Sequence, residues 1–282
     1  MAETMANQGT AVGLKDVPET MLWTLHNRAT EAMRSDRILT DPKAVEIYQE
    51  INYDYERSFG KADPVHALRS LVFDQAIAQF LKQAPDGTIV NLGEGLETQR
   101  FRVSDSSALW LTVDLPEAIQ AREKFIEPDA RHPHFSLSAL DRQWFESVPK
   151  DKPVFITAQG LFMYFPKNEV RTLIQDIFQT FDSCCLMFDT IPRWFSKKTT
   201  SDEGYALTGH YVAPKMPWGI NRNQIKSTLS RWLNNDITIE DVGYPSFTRG
   251  IGWKVFTAFS SLPILKDITP TIIKVSSNKI SN

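Results

Sequence analysis

The stretch Thr88-Ile-Val-Asn-Leu-Gly-Glu-Gly-Leu-Glu-Thr-Gln99 constrains this chain most, because it runs an apolar strand straight into a glycine-bearing turn that opens a helix. Gly93 and Gly95 can take positive φ and let backbone amides come close to a ligand, where a Cβ would obstruct them. About twenty residues on, the apolar run Leu109-Trp-Leu-Thr-Val113 ends in Asp114. Nucleotide-binding α/β folds place an acid there for ribose hydroxyls.

The dinucleotide fingerprint G-x-G-x-x-G is not met, since Thr98 stands where the third glycine would seat the helix on the strand. Glu94 and Glu97 sit where a pyrophosphate would meet the helix N-terminus, and two carboxylates there would repel it. A nicotinamide dinucleotide is therefore disfavoured. S-adenosylmethionine suits the turn better, having an adenosine for the strand-end acid, a sulfonium, an amino-acid tail and no phosphate. The plain alternative is a tight turn with a solvated acidic face.

Around this turn the chain reads as α/β. Residues to about Gly13 are polar and unpatterned, a flexible N-terminus over 1–13. Met21, Leu22, Leu25, Ala29, Ala32 and Met33 recur at helical spacing in a helix that Glu19 or Thr20 could start. A second helix is expected after Asp41-Pro42 and a third over 65–81, giving a helical cap over about 18–82. Strands then read at 89–92, 109–113, 135–137, 154–158 and 186–188, with helical patterns at 116–125 and 167–181 between some of them. This is the rhythm of a mostly parallel, doubly wound sheet. A helix near 224–233 precedes strands at 237–242 and 253–259, whose short link implies an antiparallel neighbour. One domain over 14–262 with a sheet core at about 88–260 follows, and 263–282 reads as a C-terminal tail.

Three ordered segments carry a resemblance. Val90-Asn-Leu-Gly-Glu-Gly-Leu-Glu-Thr-Gln-Arg100, Val113-Asp-Leu-Pro-Glu117 and Thr157-Ala-Gln-Gly-Leu-Phe-Met-Tyr164 resemble the leucine carboxyl methyltransferase superfamily. The bacterial branch typified by the tetracenomycin polyketide O-methyltransferase is the nearest in look, over about residues 20–260. The resemblance implies a class I methyltransferase: a Rossmann-like, seven-stranded, mostly parallel sheet with one reversed strand, and S-adenosylmethionine as cofactor. It also implies that Gly93 and Gly95 pass beneath the methionine moiety, that Asp114 holds the ribose, and that Leu140 lies near adenine. Ala139 then takes a position that is usually acidic, and Asp141 is left to cap the helix entering at Trp144. Gln159 stands where the family commonly has Glu, keeping an acceptor for the cofactor's ammonium without the charge. Arg69 matches an arginine that contacts the cofactor carboxylate; a solvated arginine paired with Asp74 is the alternative. Arg28 is a further candidate to face the pocket.

Acceptor selection is expected in the long connection over 190–223, a lid-like insertion that carries Trp194, Phe195, Tyr205, His210, Tyr211 and Trp218. Tyr164 and His210 are the candidates for catalytic contacts, and Arg28, Trp194, Tyr211 and Trp218 for substrate contacts. A single aromatic there can equally be packing over the sheet edge.

The formal net charge of −3, from 31 basic and 34 acidic residues, gives no field for nucleic acid or anionic membrane. No apolar run is long enough to span a bilayer and the first residues carry no signal pattern, so a cytoplasmic protein with a small-molecule partner is expected. Cys184 and Cys185 are adjacent in an apolar run, a poor disulfide pair best read as small buried hydrophobes, and the five histidines show no metal spacing. The expected activity is S-adenosylmethionine-dependent O-methylation of a small, possibly aromatic or polyketide-like acceptor. The alternatives are carboxyl methylation of a protein terminus or small acid, and a catalytically silent protein that binds the cofactor.

Overall fold

A computed structural model describes residues 10–103, 107–233, 237–245, 249 and 267–277. Four helices come first, α1 (Asp16–Ala32), α2 (Pro42–Glu50), α3 (Tyr55–Phe59) and α4 (Val65–Gln83). Helix α1 starts earlier than Glu19 or Thr20, because Pro18 falls within its first turn, where a missing N–H costs nothing. Asp41 caps α2 as expected, its Oδ1 accepting the Ala44 N–H at 3.0 Å with Pro42 in the first turn. Thr10, in the segment read as flexible, bridges to Ile51.

The alternating part then follows as β1 (Thr88–Leu92), α5 (Gln99–Arg102), β2 (Leu109–Asp114), α6 (Pro116–Arg122), β3 (His134–Ser136), β4 (Val154–Ala158), α7 (Lys167–Thr180) and β5 (Cys184–Thr190). After β5 come α8 (Arg193–Thr200), a hairpin of β6 (Tyr205–Thr208) and β7 (Tyr211–Ala213), α9 (Arg222–Trp232), β8 (Ile237–Asp241) and β9 (Thr271–Ser277). The connection over 190–223, read as a lid-like insertion, carries the helix α8 and the hairpin β6–β7.

Seven strands form one sheet in the order β3-β2-β1-β4-β5-β9-β8, with β9 antiparallel to both of its neighbours and the other pairs parallel. The seven-stranded, doubly wound sheet with one reversed strand therefore holds. The reversed strand is not at 253–259, which lies outside the described residues; it is β9, drawn from the stretch read as a tail. Thr271-Ile-Ile-Lys-Val-Ser-Ser277 is rich in β-branched residues, and Ile272, Ile273 and Val275 are fully buried between β5 and β8.

Side-chain alternation sends Val90, Leu92, Leu111, Val113, Ile156 and Leu186 to one face, under α7, α9 and Trp144. Ile89, Trp110, Phe155 and Met187 go to the other, against Phe73, Ile77 and Phe80 of α4. Strands buried on both faces read as continuous apolar runs, which is why β1, β4 and β5 were visible in the sequence. Cys184 and Cys185 divide between the two faces, both free and buried. A third apolar cluster joins α1, α2 and α3 to α6 and to Tyr211, Ala213 and Met216, fastening the helical cap over the sheet's carboxyl edge.

Candidate active site

Strand order reverses about β1 and β4, and in an open α/β sheet that crevice, beyond the strands' carboxyl ends, is where ligands bind. A cavity of about 340 Å³ lies there, lined by Gly93 and Gly95 after β1, Asp114 at the end of β2, Gln159 and Gly160 after β4, and Asp189 in β5. Helices α1 and α4 close it with Met21, Trp23, Thr24, His66 and Arg69.

The turn after β1 needs glycine at two places, and for reasons of packing within the protein. Gly93 has φ of 63° and a Cβ there would lie 2.8 Å from Leu161 Cδ1; Gly95 has φ of 51° and its Cβ would lie 2.9 Å from Met21 Cβ. The helix that the turn opens is only the four-residue α5. Arg122 of α6 holds the turn instead, donating Nη1 to the carbonyls of Gly95 and Glu97, both at 2.8 Å.

The electrostatics of the turn correct the charge argument drawn from the sequence. Glu94 pairs with Arg122 Nη2 at 3.0 Å and accepts from Asn91 and Thr112. Glu97 pairs with Arg28 at 2.6 Å and Arg102 at 2.8 Å and accepts from Ser70. Burial alone would raise Glu97; Arg102, Arg28 and the Ser70 hydroxyl outweigh it and hold the carboxyl well below the usual carboxylate range. Both acids are therefore neutralised from within the protein, and their field alone does not select a cation.

Asp114 keeps its place at the cavity. Its Oδ2 accepts Gly95 N–H at 2.7 Å and its Oδ1 accepts Leu115 N–H at 2.8 Å, leaving each oxygen a lone pair for a ligand hydroxyl. Burial pushes its carboxyl up to about 6 against the pull of those two amides.

Arg69 donates Nη1 to Asp189 Oδ2 at 3.0 Å, while Asp189 Oδ1 accepts Gly160 N–H at 2.5 Å. Gly160 has φ of 66°, and a Cβ would lie 2.8 Å from Arg69 Nη1. Arg69 Nε and Gln159 Oε1 are both buried without a hydrogen-bond partner. The orientation of Gln159 is set through Gln99, whose Nε2 donates to Asp74 at 2.7 Å, leaving its Oε1 to accept Gln159 Nε2 at 3.2 Å. The alternative pairing of Arg69 with Asp74 does not form, because Asp74 is taken by Arg102 and Gln99.

Other expected site residues lie elsewhere. Leu140 packs against the core while Ser138 and Ala139 line the cavity. Asp141 caps the short 3-10 turn at Arg142–Ser147, accepting Gln143 N–H at 2.9 Å. Arg28 does not face the cavity; it is buried on Glu97, Asp41 and the Leu96 carbonyl. Trp194 is 54% exposed with Nε1 on the Ile268 carbonyl. Trp218 is core, against Phe162, Phe188 and Trp232, and Tyr211 is packed edge-on against Phe59. His210 is exposed at the hairpin turn, away from the cavity wall. Tyr164 does line the cavity, but burial pushes its hydroxyl up to about 12, so it is a donor and not a base at neutral pH.

From the connection over 190–223, Ile191, Phe195 and Met216 reach the cavity. Asp189, Gly160 and His66 were missed in the sequence. An acid closing the apolar run Cys184-Cys-Leu-Met-Phe-Asp189 was the available signal for the first. None of the described helices is long and apolar enough to cross a membrane.

The sheet order and this crevice define a class I methyltransferase fold. Among solved structures, the plantazolicin methyltransferase BamL, in complex with a triazolic desmethylPZN analog and SAH, aligns with a TM-score of 0.52 at 12% identity, covering 92% of this chain and 99% of that one. A possible exported protein from Bordetella parapertussis also aligns at 0.52, with 13% identity over 80% of this chain and 73% of its own. At such identities the likeness speaks for the fold alone. Residues 22–178 match the leucine carboxyl methyltransferase family, and the chain belongs to that family, whose cofactor is S-adenosylmethionine. It is 26% identical over 215 residues, 75% of this chain and 78% of the relative, to the tetracenomycin polyketide synthesis O-methyltransferase TcmP of Streptomyces glaucescens. It is also 28% identical over 184 residues to the S-adenosyl-L-methionine-dependent methyltransferase dpfgK of Gibberella zeae, covering 59% of this chain and 62% of that relative.

Proposed function

We propose that this chain transfers the methyl group of S-adenosylmethionine to an oxygen of a small organic acceptor, aromatic or polyketide-like in kind. The observation that carries the reading is one cavity with two kinds of wall. Strand ends supply polar groups left open for a ligand, and the cap and the connection supply Met21, Trp23, Met163, Phe195 and Met216. The residues fit the cofactor: Asp114 has two oxygens for vicinal hydroxyls, Gln159 Oε1 is an acceptor for an ammonium, and Arg69 Nε is a donor for a carboxylate. Oxygen as the nucleophile follows the relative named as a polyketide synthesis O-methyltransferase.

When bound, S-adenosylmethionine supplies an electrophilic methyl on a sulfonium. The chain's share is to orient and to exclude water, and orientation alone can be worth ~7–11 kcal/mol. Asp114 would hold the adenosine end, the glycine turn, the Arg69–Asp189 pair and Gln159 the methionine end, and the apolar wall would shield the acceptor. Incubation with methyl-labelled cofactor and a library of phenols, enols and carboxylic acids tests this, with products sorted by lability in base. A base-stable ether is expected. A base-labile ester would favour carboxyl methylation, which the family match also supports. Tight cofactor binding with no turnover across the library would instead identify a silent binder.

A further inference from the structure

His66 stands in the first turn of α4, lining the cavity with Trp23 and Arg69. Its Nδ1 lies 2.9 Å from Asn27 Nδ2. Asn27 cannot present its oxygen instead, because that oxygen accepts the Asp63 N–H at 3.2 Å. A ring nitrogen that faces an amide N–H is the acceptor, so Nδ1 carries no proton and the neutral ring is protonated on Nε2. Burial, then the nearby Arg69 and Arg28, hold His66 well below the usual histidine range, so the ring stays neutral. Trp23 sits edge-on to it, centroids 5.1 Å apart at 89°. Nε2 has no partner among the described residues, yet it is not among the buried atoms that lack one. Its N–H is left for whatever fills the cavity.

The other ionisable groups among the described lining residues are committed. Glu94, Glu97 and Asp189 are in ion pairs, and Asp114 holds two backbone amides. Burial keeps the Tyr164 and Tyr244 hydroxyls protonated. His66 itself cannot serve as a base, since its lone pair is spent on Asn27.

We propose that His66 Nε2–H holds an oxygen of the methyl acceptor, and that the cavity takes acceptors which arrive already ionised: carboxylates, or phenols and enols acidic enough to be anions at neutral pH. This rests on the methyl-transfer reading above. An oxyanion forms its bond to the methyl carbon as the carbon–sulfur bond breaks and that electron pair stays on sulfur. It ends as a neutral ether or ester beside a neutral thioether. No proton has to be removed, which agrees with described lining residues whose carboxylates are held in ion pairs or, for Asp114, by two backbone amides and by the ribose in the reading above.

The test uses the full chain saturated with S-adenosylhomocysteine, with 4-nitrophenolate and benzoate as probes, and the variants His66→Phe and His66→Gln. Long-range nitrogen–proton spectra of the histidine rings should show His66 neutral and protonated on Nε2 at pH 7. Calorimetry should show at least one probe binding the native protein. His66→Phe should weaken it about tenfold or more, as loss of a hydrogen bond to a charged group does, and His66→Gln, which keeps a donor, should recover part of that. S-adenosylhomocysteine affinity should stay within about threefold in both variants. An Nδ1–H ring, an imidazolium, equal probe affinity in His66→Phe, or no probe binding in a native protein that does bind S-adenosylhomocysteine each overturns the proposal. A tenfold loss of S-adenosylhomocysteine affinity in His66→Phe also overturns it and assigns the donor to the cofactor's tail. Failure of the native protein to bind S-adenosylhomocysteine at all sinks the methyl-transfer reading itself.

Discussion

Acid should loosen the cofactor, and through one carboxyl. Asp114 is raised from 3.8 to about 6 by burial, against the pull of the Gly95 and Leu115 amides. Its ionised form accepts from ribose hydroxyls better than its neutral form, because one oxygen of the acid becomes a donor. At about pH 7 roughly nine in ten of these carboxyls are ionised and at about pH 5 roughly one in ten, so cofactor affinity should fall about tenfold between them. No histidine near the cavity competes in this window, since burial pushes His134 down to about 4 and holds His66 low.

The stability of the ligand-free protein should respond with the opposite sign. A carboxyl whose folded value lies above its unfolded one makes the native state the better proton binder, so its contribution is full below about 3.8 and is lost as pH rises through about 6. The two values differ by enough to cost the ionised form about 3 kcal/mol at neutral pH, as an upper figure. Calorimetric titration with S-adenosylhomocysteine from pH 5 to 7.5, on native protein and Asp114→Asn, reads the first effect. The variant should bind more weakly by ~1.5–3 kcal/mol and show no dependence on pH. Asparagine is not a mild replacement here, because its amide nitrogen must face the N–H of Gly95 or of Leu115. A flat native profile, or a variant that keeps the acid fall, would refute the assignment of Asp114.

Four further substitutions have expected outcomes. Gly160→Ala puts a Cβ 2.8 Å from Arg69 Nη1 at a φ of 66°, so urea denaturation should show a loss of ~1–3 kcal/mol and calorimetry a weaker cofactor; a variant unchanged in both removes the Arg69–Asp189 pair from the site. Arg102→Met leaves Asp41, Asp74 and Glu97 short of a partner in a buried network and should cost ~3–5 kcal/mol in the same assay, whereas under ~1 kcal/mol would mean that the network is no more stabilising than apolar packing. Trp218→Ala should lose ~3–5 kcal/mol of stability as a core truncation, while Phe195→Ala should raise the acceptor KM with cofactor affinity within about threefold; a Trp218→Ala protein of normal stability and raised KM would return Trp218 to the acceptor site.

Which residues could be read from the chain alone depended on how far away their partners were. Gly93, Gly95 and Asp114 announce themselves because the turn's geometry and the strand that precedes it are local, and Asp41-Pro42 is a helix start for the same reason. Strand β9 was open to the same kind of reading, since Thr271-Ile-Ile-Lys-Val carries the β-branched signature, but its place in the sheet depends on β5, some eighty residues earlier. Arg28 shows the limit most clearly. A lone arginine on an apolar helix looks the same whether it faces a ligand or answers an acid, and the acid here, Glu97, lies 69 positions on. The aromatics over 190–223 divide for a related cause: hydrophobic content marks burial, and only packing decides whether the buried face meets core, as Trp218 does, or cavity, as Phe195 does. His66 inverts the case, because its use comes from Asn27 fixing which nitrogen holds the proton. That information lies in a hydrogen bond between α1 and α4, 39 residues apart in the chain, so it exists only once those two cap helices have packed together. The glycine turn and the acid at the end of β2 are thus written in local sequence, whereas the pairing of Arg69 with Asp189, 120 positions on, and the packing of the cap helices are decided only by the fold.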